Sequence, residues 1–229
     1  MRLSLKVEKF CNPVIFTEKT GKSVEGRKKG YALRVLWQDG RNVDYCVIKG
    51  FPYVRRDSSN VGKHIEKAVL EIALKGAASE KDTQALRLSG VYTNVSKLVQ
   101  DVRALFLAGV YSIDDMSITV CAQKTLSSYD PRPAFVRGIY YFNEHVATTK
   151  DLAPITEGET AQFLYVKRVL GCPPTDVLAY MNSHDIPEVT PDLNRMFERE
   201  VKSKVDKKLK IMGVTWMQVI GQMTMEDFI

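Results

Sequence analysis

No two cysteines of this chain stand in a C-x-x-C pair, and none lies at ligand spacing from a histidine: Cys11, Cys46, Cys121 and Cys172 are scattered. A zinc site is not expected, and buried free thiols in a reducing compartment are. His64, His145 and His184 are isolated as well, with no H-E-x-x-H and no serine or cysteine partner for nucleophilic catalysis. Packing or surface roles are expected for all three. No stretch approaches the roughly 18 apolar residues of a membrane span, and Arg2 and Lys6 interrupt the first residues, so neither an anchor nor a signal peptide is expected. Internal repeats and low-complexity segments are also missing. Nothing in the chain has the pattern of a self-contained active site.

Two tempting fragments fail on context. Thr20-Gly21-Lys22-Ser23 matches the end of a phosphate-binding P-loop, but the pattern needs an earlier glycine where Phe16 stands, and no strand-to-helix turn surrounds it. Asp114-Asp115 looks like a metal pair, yet adjacent residues point to different faces of either regular structure. Acids of a helix N-terminus following Ser112 are the better reading.

What is present is a core-forming composition, with 45% hydrophobic and 26% charged residues over 229 positions. That length suits one good-sized domain or two small ones. The formal charge of +6 is unevenly placed: residues 27 to 57 hold eight basic side chains against three acids, a local excess of +5. Nearly the whole excess of positive charge thus falls in one strand-turn-strand unit, as expected of a surface that meets phosphates.

Residues 2 to 8 alternate apolar and polar, and Val14-Ile15-Phe16 is β-rich, so two short strands are expected, followed by a loop over 17 to 30. Tyr31 to Trp37 and Val43 to Ile48 flank Asp39-Gly40, a hairpin signal because glycine supplies the positive φ that the turn needs. Ser58 or Ser59 can cap a helix with Val61, Ile65, Val69 and Ile72 on one face, ending near Gly76. A second helix carries Val95, Leu98, Val99, Val102, Leu105 and Phe106 up to Gly109. Ser117 to Leu126 reads as extended, Pro133 to Val146 as helical and Gln162 to Val169 as a strand. Pro173-Pro174 is expected to introduce a short helix ending around Asn182. Asp192 to Met212 forms the longest predicted helix, with Leu193, Phe197, Val201, Val205, Leu209 and Met212 inward and Lys202, Lys204, Lys207, Lys208 and Lys210 on the other face. Boundaries are expected near residue 115 and after Gly213. About four strands before the helices make a small sheet with open edges, which proteins normally cover or pair.

The informative constellation is Lys28-Lys29-Gly30-Tyr31-Ala32, then the Asp39-Gly40 hairpin, then Lys49-Gly50 and Arg55-Arg56-Asp57. This order resembles the C-terminal palm of family B DNA polymerases, whose K-K-x-Y-A strand, D-G hairpin and K-G-x-x-x-x-R-R-D segment follow one another in the same way. Tyr129 to Asn143 is similar to the thumb segment of that family, although Ala134-Phe135 stands where the family usually has Pro-His, and Gly158 to Val169 is similar to a later thumb strand. The last residues resemble a clamp-binding peptide, with Gln222, Met225 as the aliphatic plug, Phe228 as the aromatic and Ile229 in place of a second aromatic.

The resemblance implies an α+β fold in which residues 1–115 are the C-terminal palm, with a small antiparallel sheet remnant and packed helices. Residues 116–212 would be a mixed, mostly helical thumb, and 213–229 a tail with the clamp peptide. In the family the catalytic aspartates, the nucleotide-binding helix and usually an exonuclease precede the K-K-x-Y motif, and this chain starts just after where the last of those aspartates would lie. The expected function is that of the small subunit of a heterodimeric, split DNA polymerase of the archaeal kind, inactive alone. Its partners would be a large subunit carrying the aspartates and their magnesium, primer-template DNA and a sliding clamp. This chain itself would hold no metal or cofactor, supply no catalytic residue, and work in the cytoplasm at the nucleoid. Implied DNA contacts are Lys28 or Lys29 in the minor groove, Tyr31 at a phosphate or sugar, and Lys49, Arg55 and Arg56 along the primer backbone, unless Arg56 pairs with Asp57. Two other readings remain at this point: a non-catalytic duplex-DNA and clamp-binding factor of polymerase ancestry, and a fragment of a single-chain polymerase.

Overall fold

The computed structural model describes residues 7–11, 31–38, 40–49, 58–76 and 90–221. They are mixed α and β, with two small antiparallel sheets and several helices. The chain divides into two compact units, one of residues 1–55, 63–102 and 202–229, the other of residues 56–62 and 103–201. Among the described residues no helix is long and apolar enough to cross a membrane.

In the first unit, β1 (Val7–Cys11), β2 (Tyr31–Gln38) and β3 (Arg41–Lys49) form a sheet in that order. The β2–β3 turn is where the sequence places it, with Gly40 at φ +82° and no atom near its missing Cβ. Register shifts between Val35 and Trp37, a local irregularity that lets the hairpin twist. Ala32 and Ile48, directly opposed across the strands, pack against Leu70 and Leu74 of α1 (Asn60–Gly76), with Cys46 beside them. Ile65, Val69, Leu70, Ala73 and Leu74 are buried on α1, while Ile72 is only half-buried. Arg34 joins strand and helix, donating Nε to Asp44 Oδ1 at 2.9 Å and Nη1 to the Lys75 carbonyl at 3.0 Å. That carbonyl is one of the last on α1, left without a helical partner.

The same unit holds most of α2 (Val91–Leu107) and, near the C-terminus, two further helices described below. In the second unit, α3 (Ile113–Met116) leads into β4 (Ile118–Cys121), and α4 (Ala134–Tyr141) continues through a π-helical stretch, Phe142–Ala147, into α5 (Thr148–Lys150). Strands β5 (Thr160–Val169), β6 (Val177–Tyr180) and β7 (Val189–Pro191) complete its sheet, in which β4 and β6 flank one half of β5 and β7 pairs with its end. Gly138 lets α4 approach β6 closely, since a Cβ there would lie 2.9 Å from the Ala179 nitrogen. The core runs through Ile118, Val136, Ile139, Phe163, Leu164, Leu178, Tyr180 and Met196.

A last helical run begins with α6 (Leu193–Phe197), passes through a π-helical stretch, Glu198–Lys202, and becomes α7 (Ser203–Ile211), with α8 (Trp216–Val219) following. Thr215 and Gln218 form a capping box on α8, and Tyr92 and Gln100 of α2 donate to the carbonyls of Gln218 and Val219.

Three sequence expectations need correction. The residues after Pro173-Pro174 are a strand, because all four residues of Val177–Tyr180 are buried and the edge of β5 offers a ladder, an apolar run too short for its period to be diagnostic. Extended structure after Ser117 stops at Cys121. Lys208 is not on a solvated lysine face: it is 6% exposed and pairs with the fully buried Glu66 of α1.

Candidate functional site

The ladder of β2 and β3 ends with Tyr31 opposite Lys49, one position beyond the buried pair Ala32 and Ile48, and Tyr31 also faces Cys11 of β1. The chain therefore enters β2 and leaves β3 at one end of the sheet, away from Gly40. Both basic segments, the one running to Tyr31 and the one running on from Lys49, are joined to that end. Lys28, Lys29, Arg55 and Arg56 themselves lie outside the described residues, as do Gln222, Met225, Phe228 and Ile229 and the side chains of Tyr31 and Lys49.

Arg34, on the same hairpin, is committed internally to Asp44 and the end of α1. Its hydrogen bond holds the Asp44 carboxyl below the usual carboxylate range. One of the eight basic residues counted in this region is thus part of the scaffold.

Asp114 and Asp115 behave as a helix start. Ser112 accepts from the Asp115 nitrogen at 3.1 Å, and Asp114 accepts from Ser183 at 2.7 Å and from Tyr180 at 3.2 Å. Among the described residues no three His, Cys, Asp or Glu side chains are grouped to hold a metal ion.

A second cluster, in the unit of residues 56–62 and 103–201, escaped the sequence reading. Arg195 lies over the Tyr165 ring at 3.8 Å and Arg199 over Phe163 at 5.0 Å, with Arg199 Nη1 donating to the Tyr165 hydroxyl at 2.9 Å. Asp176 Oδ2 accepts from both Arg137, at 2.9 Å, and Arg195, at 3.0 Å. Partial burial pushes the Asp176 carboxyl up, but these two bonds prevail and hold it below its ordinary range. Arg132 lies over Tyr140 at 4.2 Å and shares an open groove of about 460 Å³ with Arg137, Tyr141 and Asp176. Two signals were present, aromatics at i and i+2 of one strand and arginines at i and i+4 of one helix. Nothing in the sequence says that the two elements meet.

An α+β chain with two small antiparallel sheets and this hairpin is the class that the fold defines. No protein-family model matches the chain, and no curated protein matches its sequence. Among solved structures, its fold is similar to the family B DNA polymerase from the hyperthermophilic archaeon Pyrobaculum calidifontis, with a TM-score of 0.53 at 21% identity. The match covers 84% of this chain and 21% of the polymerase chain, so the chain spans about a fifth of that protein's length. The fold is like that of part of a family B polymerase.

Proposed function

We propose that this chain is the small subunit of a heterodimeric family B DNA polymerase. Residues 1–115 complete the palm, 116–212 supply the thumb that grips primer-template duplex, and 213–229 carry a peptide for the sliding clamp. What supports the reading is the fold likeness to a family B polymerase over 84% of the chain, joined to the register that ties both basic motifs to one end of a hairpin.

Phosphoryl transfer by two metal ions needs clustered carboxylates to hold the ions and a duplex held so that the primer 3′-hydroxyl points in line. In this reading the aspartates and their magnesium ions belong to the large subunit, and this chain provides the second requirement. Lys28 or Lys29 donates to purine N3 and pyrimidine O2, acceptors present in the minor groove of every base pair, so contact is independent of sequence yet sensitive to mispairing. Tyr31 supports a phosphate or sugar, and Lys49, Arg55 and Arg56 follow the primer backbone. The small sheet is completed by strands of the large subunit, and the protein works in the cytoplasm at the nucleoid.

Primer extension tests this directly. The chain alone should give none, and activity should appear when the aspartate-bearing subunit is added; equal activity of that subunit without this chain overturns the proposal. Phe228→Ala should abolish binding to the clamp while leaving non-processive extension intact.

A further inference from the structure

Four arginines of the second unit, Arg132, Arg137, Arg195 and Arg199, form one continuous strip. Arg132 and Arg137 line the same groove; Arg137 and Arg195 share Asp176; Arg195 and Arg199 share Tyr165. Three of the four lie against aromatic rings, in a unit of roughly a hundred residues where about one such contact is ordinary. The carboxylates beside them are Asp176, Glu144 at the groove, and Glu200, whose Oε1 is 3.8 Å from Arg199 but which is buried.

The side chains of Arg137 and Arg195 remain 46% and 45% exposed. For Arg195, as for Arg132, one face of the guanidinium is covered by a ring, which fixes the plane of the cation while its edge keeps N–H donors for an anion. A fixed planar cation is a platform on which an unpaired base can stack, and its edge can take the adjoining phosphate. Duplex offers no open base face to such a platform, and a simple phosphate grip needs charge but no plane.

We infer that this strip binds single-stranded nucleic acid, without base preference, with Arg132 and Arg195 as stacking platforms and Asp176 as the residue that positions Arg137 and Arg195. The strip lies within residues 116–212, includes none of the residues proposed above to touch duplex, and does not rest on that reading.

The full chain is titrated with a fluorescent oligo(dT) and, separately, with a blunt duplex. Arg132→Gln with Arg195→Gln should weaken oligo(dT) binding by about tenfold or more, and Arg132→Lys with Arg195→Lys, which keeps the charge, should lose most of that too. Blunt-duplex binding should fall by much less than oligo(dT) binding in either variant, because along a duplex no base face is open to these planes. Oligo(dT) binding that is unchanged in the glutamine variant or fully kept in the lysine variant overturns the inference. So do an equal loss on duplex and background oligo(dT) binding by the unaltered chain, the latter being the outcome if the strip serves a protein partner. Should the double variant fail to fold, Arg132→Gln alone carries the test, since that side chain makes no polar bond within the described residues.

Discussion

Glu66 of α1 and Lys208 of α7 form an ion pair in the interior of the unit that holds the β2–β3 hairpin. Lys208 Nζ also donates to the Lys204 carbonyl at 2.7 Å, and Glu66 Oε2 has no hydrogen-bond partner among the described residues. Burial lowers the Lys208 pKa, with the Glu66 charge opposing. Unfolded chain then binds this proton more tightly than folded chain, so between the lowered value and the ordinary 10.5 the pair's contribution to stability rises with pH. Lys208→Ala leaves a buried carboxylate unmatched and should cost about 3–5 kcal/mol, whereas Glu66→Leu combined with Lys208→Met should recover most of it. Urea midpoints at constant m-value measure both; a Lys208→Ala midpoint equal to that of the parent would mean that this lysine is solvated.

Gly62 stands in the first turn of α1, where a Cβ would lie 2.8 Å from the Glu200 carbonyl oxygen and 2.9 Å from its Oε2. That carboxylate accepts from the Ser59 nitrogen at 2.7 Å, and Gly62 donates to Ser59 Oγ at 3.0 Å. Gly62→Ala should destabilise by about 1–3 kcal/mol through overpacking, despite the roughly 1 kcal/mol that alanine normally adds to a helix. Thermal melting decides, since an unchanged or higher midpoint would show the Glu198–Lys202 stretch yielding.

Tyr141 donates to the Pro173 carbonyl at 2.6 Å, and Tyr180 lies between Ser117, at 2.7 Å, and Asp114. Burial is the main cause that raises both phenols, Tyr141 to about 12 and Tyr180 above the ordinary range. The folded chain keeps protons that the unfolded chain releases near pH 10, so these two groups make stability fall as pH rises past 10. A phenolate absorbance titration should show exposed tyrosines ionising first. Tyr141→Phe should delete the step near pH 12 and cost about 1 kcal/mol for the lost hydrogen bond.

Lys29 and Arg34 are close in sequence and should behave oppositely. Lys29→Ala is expected to weaken duplex binding and reduce the slope of log affinity against log salt by about 0.9. Arg34→Ala should leave that slope unchanged and lower the urea midpoint, because it takes a charged donor from Asp44 and from the end of α1. An unchanged slope for Lys29→Ala at matched stability would remove that lysine from the interface.

The hairpin, α1 and the run of apolar residues from Phe197 to Met212 were legible because period and turn chemistry are local properties. Asp39-Gly40 names its turn, and the Ser58-Ser59 pair its helix start, where the structure gives the cap to Ser59. Strand β6 was not legible: its four apolar residues are too few to reveal a period, and only the edge of β5 makes them a strand.

By itself, then, the sequence determined the local elements and the concentration of positive charge in residues 27–57, the hairpin and its flanking segments, since both follow from neighbouring residues. Tertiary structure alone decided which charges face water. Lys208 lies on a helix rich in lysine and is drawn inward by Glu66, while Arg195 and Arg199 become a fixed cationic surface only because β5 brings Tyr165 and Phe163 beneath them. Burial and stacking depend on partners far away in the chain, and no pattern of adjacent residues records them.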